Sequence, residues 1–367
     1  MKQKLGALEI GRFVAASLVV ISHLAPSVDG YAASPADRLL AHFDFGALGV
    51  QFFFVLSGFV MASNHAADFG NPAAVPKFIW RRICRIYPVF WLAMLVPLYY
   101  EWAAANPANL AQLLSLAPVD TQELLPPAWT LRYEIAFYLT FSLCLLPWIG
   151  RPLLVLWMFC VLWISSPLNI LHHILPAPPA QLAALGLGVT GHFLNFHDLY
   201  FFAGVLAGLA FVRFRPPARL ALALLAVSAA AFLAGLAQIG WGQQYGSPDM
   251  ILLMSLTMGS LILALAWAEA AGALRIVRQA RHFGAVSYPL YILHWSIFWI
   301  AQFTLPPLRL HRHGLVLLFI AGALAIYGAA IVVTFLFDQP IQRQLRRLGR
   351  GRSKVVPDRT GLTSSST

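Results

Sequence analysis

The chain has 367 residues, of which 59% are hydrophobic and 11% charged, and its mean hydropathy is +0.72. Soluble domains are nearer half apolar and a quarter charged, so a water-soluble fold and a disordered chain are both excluded. A formal charge of +11 would suggest nucleic acid in a soluble protein; here it fits cytoplasmic loops under the positive-inside rule, facing anionic membrane lipids, and no nucleic-acid partner is expected.

About 20 apolar residues cross the hydrocarbon of a bilayer. Ten stretches are read as spans, near 7–24, 46–63, 83–100, 129–147, 152–166, 198–212, 218–239, 250–271, 285–304 and 314–337. The stretch 198–212 is short, and the uncharged segment 167–197, rich in Pro, Gly and His, has room for a re-entrant or additional helix. With Lys2 and Lys4 placed inside, one side collects Lys77, Arg81, Arg82, Arg85, Arg151, Arg213, Arg215, Arg219, Arg275, Arg278, Arg281 and the basic residues after Gln342. The other side holds Arg38, Arg132, Arg309 and Arg312 among acids such as Asp29, Asp37, Glu123, Asp198 and Asp249. The expected fold is all-α: a polytopic membrane helix bundle of about ten transmembrane helices with cytoplasmic N- and C-termini. Residues 1–342 form the transmembrane domain, and 343–367 a basic tail expected to be disordered. Arg12 interrupts the first apolar run, so that run reads as a retained helix rather than a signal peptide. Cys84, Cys144 and Cys160 sit in apolar runs without metal spacing and read as packing residues.

Ionisable side chains inside a span cost at least about 2.5–3.5 kcal/mol on insertion scales, which makes each one a candidate. In the first span Arg12 and His23 are eleven residues apart, close to three helical turns, so they share a face and lie roughly 16 Å apart along the axis. The plainer reading has Arg12 paired with Glu9 and His23 at the interface. In GVQFFFVLSGF, Ser57 and Gly58 let a neighbouring helix or an extended ligand approach the backbone, ordinary helix packing being the simpler reading. Arg81, Arg82 and Arg85 in WRRICRIYP suit phosphate binding, or anchor the helix at the interface. In PPAWTLRYEIAFY, Glu134 and Tyr138 share a face; an ion pair with Arg132 is the alternative for Glu134. Ser287, Tyr291 and His294 form a polar stripe in SYPLYILHW, where Tyr288 and Tyr291 also suit an aromatic belt. Asp338 in FDQP stands beside the basic tail, where a salt bridge is its plainer role. The pairs His172/His173, His192/His197 and His311/His313 lack nearby Cys or paired carboxylates, so no metal is expected.

Taken in order, these segments resemble the acyltransferase family 3 membrane proteins, which O-acylate carbohydrates of bacterial envelopes. The resemblance rests on Arg12 and His23 with ten residues between them, FFFVLSGF, RRICRIYP, PPAWTLRYEIAFY, SYPLYILHW and the late Asp338 with Pro340, across residues 7–340. The late acid is more usually glutamate in that family, and no SGNH-type hydrolase domain is joined here, which favours a stand-alone enzyme. The resemblance implies an O-acetyltransferase of the bacterial cytoplasmic (inner) membrane. It would take an acyl group, acetyl foremost, from cytoplasmic acyl-CoA to a hydroxyl of a carbohydrate such as an exopolysaccharide repeat unit or O-antigen, free or lipid-linked, alongside polysaccharide biosynthesis machinery. Arg12, Arg81, Arg82 and Arg85 would then seat the phosphates of the acyl-CoA, with its pantetheine arm in a tunnel along the Arg12–His23 face. His23 would be general base or acyl carrier, and Glu134 would orient it or bind the sugar. Ser57, Tyr138, Ser287, Tyr291 and His294 remain as substrate or oxyanion candidates. A proton-coupled transporter or flippase is the competing reading, since the same His, Glu and Arg could serve a proton relay.

Overall fold

The computed structural model describes residues 5–39, 45–100, 107–119, 123–165, 191–239, 248–277 and 279–348. The helices among them are α1 (Gly6–Asp29), α2 (Gly46–His65), α3 (Ala74–Tyr100), α4 (Pro107–Ser115), α5 (Ala128–Cys144), α6 (Gly150–Ser165), α7 (Asp198–Arg213), α8 (Ala218–Ile239), α9 (Pro248–Ala270), α10 (Ala280–Thr304), α11 (Arg312–Val333) and α12 (Gln339–Leu348). A π-helical turn, Thr334–Asp338, joins α11 to α12, and an isolated parallel bridge links Ala32 to Leu310. The fold is all-helical. Among the described residues six helical stretches are long and apolar enough to cross a membrane: Gly6–Asp29, Gly46–Asp68, Ala74–Tyr100, Ala218–Gln238, Met250–Ala270 and Arg312–Leu348. The other four expected spans correspond to α5, α6 and α7, with 17, 16 and 16 residues, and to α10, whose 25 residues include the polar stripe.

Two local features differ from expectation. Helix α3 begins at Ala74, well before residue 83. Pro76 falls in its first turn, where a missing N–H breaks no intrahelical bond, so Arg81, Arg82 and Arg85 lie inside a helix rather than at its mouth. Residues 343–348 of the expected tail continue as α12. The segment 166–190, the residues Lys2 and Lys4, and the tail after Leu348 lie outside the described residues.

Lipid offers no hydrophobic drive between helices, so packing and polar contacts must supply association. Helices α2 and α7 run parallel along a seam of glycines: a Cβ on Gly58 would collide with the Phe201 carbonyl, and one on Gly204 with the Val55 carbonyl. Beside that seam Phe137 stacks on Phe201 at 4.2 Å between ring centres. Helix α1 has no side-chain cap of its own. Instead Glu269 at the end of α9 accepts the N–H groups of Gly6 (2.6 Å) and Ala7 (2.8 Å), placing a carboxylate at the positive end of the helix dipole. Helices α1 and α10 lie side by side and parallel, since Gly6 abuts Ala280 and His23 meets His294. The site lies where α1, α2, α3, α5 and α10 converge.

Candidate functional site

A cavity of about 80 Å³ is lined by Arg12, Arg82 and Arg85 at its basic end and by Phe53, Thr130 and Tyr291 at the other, with Ser57, Glu134, Tyr138 and Tyr288 between. Along α2 its wall extends from Val50 to Met61, roughly 16 Å at 1.5 Å per residue. Helix α1 contributes only Arg12 to the lining. The face between Arg12 and His23 is closed instead by Ala16, Val19 and Val20, all buried against neighbours. The expected tunnel along α1 is therefore replaced by a cavity along α2 and α5.

Inside it the hydroxyls and the carboxylate form one cluster. Ser57 Oγ donates to Glu134 Oε1 at 3.2 Å, and the Tyr138 hydroxyl donates to the same oxygen. Arg132, one percent exposed, turns away from Glu134 and pairs with Glu123 while donating to the Ala117 carbonyl. The alternative of a Glu134–Arg132 ion pair is thereby overturned: Arg132 ties the segment after α4 to α5. Burial raises the Glu123 carboxyl, and the bonded Arg132 opposes that shift. At the far end Thr130 Oγ1 and the Tyr291 hydroxyl lie 2.7 Å apart, and the Tyr291 hydroxyl donates to the Pro127 carbonyl at 3.2 Å. Adjacent residues on α2 divide their work: Ser57 faces the cavity, whereas Gly58 faces α7 and serves packing.

The three arginines of α3 separate. Arg82 and Arg85 line the cavity, while Arg81 is exposed outside it. The Arg82 guanidinium sits over the rings of Phe78 (5.4 Å) and Tyr138 (5.3 Å), a cation–π placement. Arg12 lies 3.9 Å from Glu9, as the plainer reading had it, and yet also reaches the cavity. The Nε atoms of Arg12 and Arg82 are buried without a hydrogen-bond partner among the described residues. Buried donors of that kind are costly unless a ligand accepts from them, and phosphate oxygens are suited to do so.

One turn beyond Tyr291 the two histidines meet. His23 Nδ1 is 3.0 Å from His294 Nε2, with the rings nearly parallel at 9° and 5.2 Å between centres. His294 is fully buried, its Nδ1 is 2.6 Å from the Tyr291 carbonyl, and Trp295 and Phe298 pack edge-on against the pair. The ring that meets His23 is thus that of His294, while Glu134 meets Ser57 and Tyr138. Ser287 does not join them: it is buried and bonded to the Gly284 carbonyl of its own helix at 2.8 Å. Asp338 accepts from Gln342 Nε2 at 2.8 Å, with Arg85 and Arg346 in its electrostatic surroundings. No ion pair of Asp338 occurs among the described residues, so the expected plain salt bridge gives way to a side-chain hydrogen bond. Among those residues no group of three or more metal-ligating side chains comes together.

Sequence reasoning passed over Thr130 and assigned Tyr288 to an aromatic belt. Thr130, Glu134 and Tyr138 recur every four residues, a helical stripe that would have found the first. Tyr288 lines the cavity and donates to the Ile86 carbonyl at 2.8 Å, a contact no pattern on α10 announces. His197, before α7, lies among Phe54, Trp129, Tyr133 and Phe196. Burial, with His192 nearby, holds its imidazole down at about 4, so it is neutral at neutral pH.

A helical bundle with buried arginines and a carboxylate–hydroxyl cluster around one cavity, and a histidine pair one turn beyond its Tyr291 end, defines a membrane acyltransferase once its relatives are considered. The family model described as an acyltransferase domain matches residues 5–338; the chain belongs to that family and is an acyltransferase, which decides for catalysis over transport. It is 28% identical over 274 residues to the exopolysaccharide production protein ExoZ of Rhizobium meliloti (strain 1021), covering 71% of this chain and 78% of that protein. It is likewise 28% identical over 215 residues to the acyltransferase MdmB of Streptomyces mycarofaciens, covering 49% of this chain and 54% of the relative. No solved structure matches the chain.

Proposed function

We propose that this acyltransferase moves an acyl group, acetyl foremost, from acyl-CoA to a hydroxyl of an envelope or exported carbohydrate at the bacterial cytoplasmic membrane. The exopolysaccharide production protein among its relatives supports a carbohydrate acceptor, free or lipid-linked, and a place beside polysaccharide assembly. The observation that carries the donor is the pair of buried, unpartnered Nε atoms on Arg12 and Arg82 at the basic end of the cavity. With Arg85 they fit phosphate oxygens of an acyl-CoA, while Arg81, outside the cavity, is left as an interfacial anchor. The roughly 16 Å of lining along α2 suits an extended pantetheine arm.

His23 then acts as general base. Imidazole suits the task because its unperturbed pKa is near neutrality. Its Nε2 takes the proton of the acceptor hydroxyl as that oxygen attacks the thioester carbon. The C–O bond forms, the C–S bond breaks, and the proton passes to the departing sulfur as the CoA thiol. Glu134, held by Ser57 and Tyr138, offers its second carboxylate oxygen to a sugar hydroxyl. Thr130 and Tyr291 both donate to the Pro127 carbonyl, and either hydroxyl would have to turn from it to meet the developing oxyanion.

The test is base-labile ester on the host's surface polysaccharide, measured by proton NMR in a deletion strain complemented with wild type or with normally expressed His23→Ala. Wild type restores the ester, and His23→Ala lowers transfer by at least about 100-fold, the usual reach of general-base catalysis. Full ester with His23→Ala would remove His23 from the chemistry. Ester untouched by the deletion would remove this carbohydrate as acceptor.

A further inference from the structure

We infer that His294 is a positioning residue that fixes the working tautomer of His23, making a relay from the acceptor hydroxyl through both imidazoles to the Tyr291 carbonyl. The inference rests on the reading of His23 as general base. A backbone carbonyl only accepts hydrogen bonds, so the 2.6 Å contact of His294 Nδ1 with the Tyr291 oxygen requires a proton on that nitrogen. A neutral imidazole carries one N–H, which leaves His294 Nε2 as a lone pair. The 3.0 Å contact from His23 Nδ1 must then be His23 donating. His23 Nε2 is thereby the basic nitrogen of the neutral pair. The hydrogen bond made by one ring nitrogen of a histidine sets which of the two is the base, and here a neutral ring occupies the place that a carboxylate holds in other catalytic arrangements.

His294 is accordingly removed from the oxyanion donors: both its nitrogens are committed, one to Tyr291 and one to His23. When the acceptor proton arrives on His23 Nε2, the Nδ1–H bond to His294 becomes charge-assisted and shortens toward its partner. The far N–H of His294 already points at the negative end of a carbonyl dipole. No proton is lost or gained in the pair over a turnover, because the one taken from the hydroxyl leaves with the thiolate. The rings stay aligned because Trp295 packs edge-on against His23 and Phe298 against His294.

The experiment uses purified full-chain protein in nanodiscs, acetyl-CoA as donor and the host's isolated surface polysaccharide as acceptor, followed by thiol release. His294→Gln places a side-chain oxygen that can accept from His23, whereas His294→Asn is too short to reach it and His294→Leu offers no acceptor at all. The expected result is a loss of kcat of about 100-fold or more in His294→Asn and His294→Leu, the scale seen when a catalytic imidazole sits in the wrong tautomer. The KM for acetyl-CoA stays within about threefold, and His294→Gln recovers kcat to within about tenfold of wild type. Should His294→Leu misfold, the Asn and Gln variants alone carry the comparison. Wild-type kcat in His294→Asn beside a dead His23→Ala would overturn the relay and leave the base in place. Equal loss in Asn and Gln variants would reduce His294 to a packing role, and an active His23→Ala would remove base and relay together.

Discussion

Arg81, Arg82 and Arg85 are chemically alike in the sequence, and it is their position on α3 that separates them. Helical spacing allows either 81 with 85 or 82 with 85 on one face, so the run RRICR alone could not say which pair faces the site. The rings of Phe78 and Tyr138 settle it by seating Arg82, and Arg81 points outward. In purified protein, Arg82→Gln and Arg85→Gln are each expected to raise the KM for acetyl-CoA by about tenfold to 100-fold, the equivalent of one charged hydrogen bond. Arg81→Gln should stay within about twofold of wild type. A KM change of equal size in all three would assign the effect to the general positive field of the helix. The same limit held for Glu134: its choice of Ser57 and Tyr138 over the nearby Arg132 depends on Glu123, which no local pattern ties to α5.

Helices α2 and α7 were legible as apolar stretches, and their boundaries follow the sequence closely because flanking glycine, proline and charge bound each run. The start of α3 was not, since a charged first turn with Pro76 reads as loop until tertiary contacts extend it. Small residues carry the α2–α7 seam: Gly204 and Gly208 recur four apart on α7, the spacing that brings helix backbones together in membranes. Gly204→Val should therefore force the two helices apart, at a cost of about 1–3 kcal/mol or more from overpacking. The measurement is the unfolding midpoint in detergent, with Gly235→Ala as control, because a Cβ there meets nothing nearer than Met254 Sδ at 3.5 Å. A lowered midpoint in Gly204→Val alone is expected; unchanged midpoints in both would mean that the seam yields without strain.

Across the whole molecule the relative directions of the helices constrain how the chain weaves through a bilayer. Parallel neighbours must be separated by an odd number of intervening crossings. Helices α2 and α7 are parallel, and with α3, α5 and α6 each crossing once, α7 comes out in the direction of α2. Helices α3 and α10 are parallel too, as the contacts Ile86–Tyr288 and Ala93–Ser296 advance together; five crossings between them, α5 to α9 in order, satisfy the same rule. Helix α11 runs against α1, because Leu24 meets Gly322 while Phe13 meets Tyr327. Counting the described helices alone, the expected ten-crossing path is compatible with all of these directions, and it gathers Arg82, Arg85 and the end of α12 on one side, near Trp80. Single cysteines in a cysteine-free background test it in spheroplasts with a membrane-impermeant maleimide. Ala36→Cys and Pro307→Cys are expected to label from outside, and Pro217→Cys only after lysis. Labelling of Pro217→Cys together with Ala36→Cys in sealed spheroplasts would break the alternation between α1 and α7. Labelling of Pro217→Cys with Ala36→Cys and Pro307→Cys protected would instead invert the path and put the arginine end of the cavity out of reach of cytoplasmic acyl-CoA, so that donor and acceptor would have to enter from the same face.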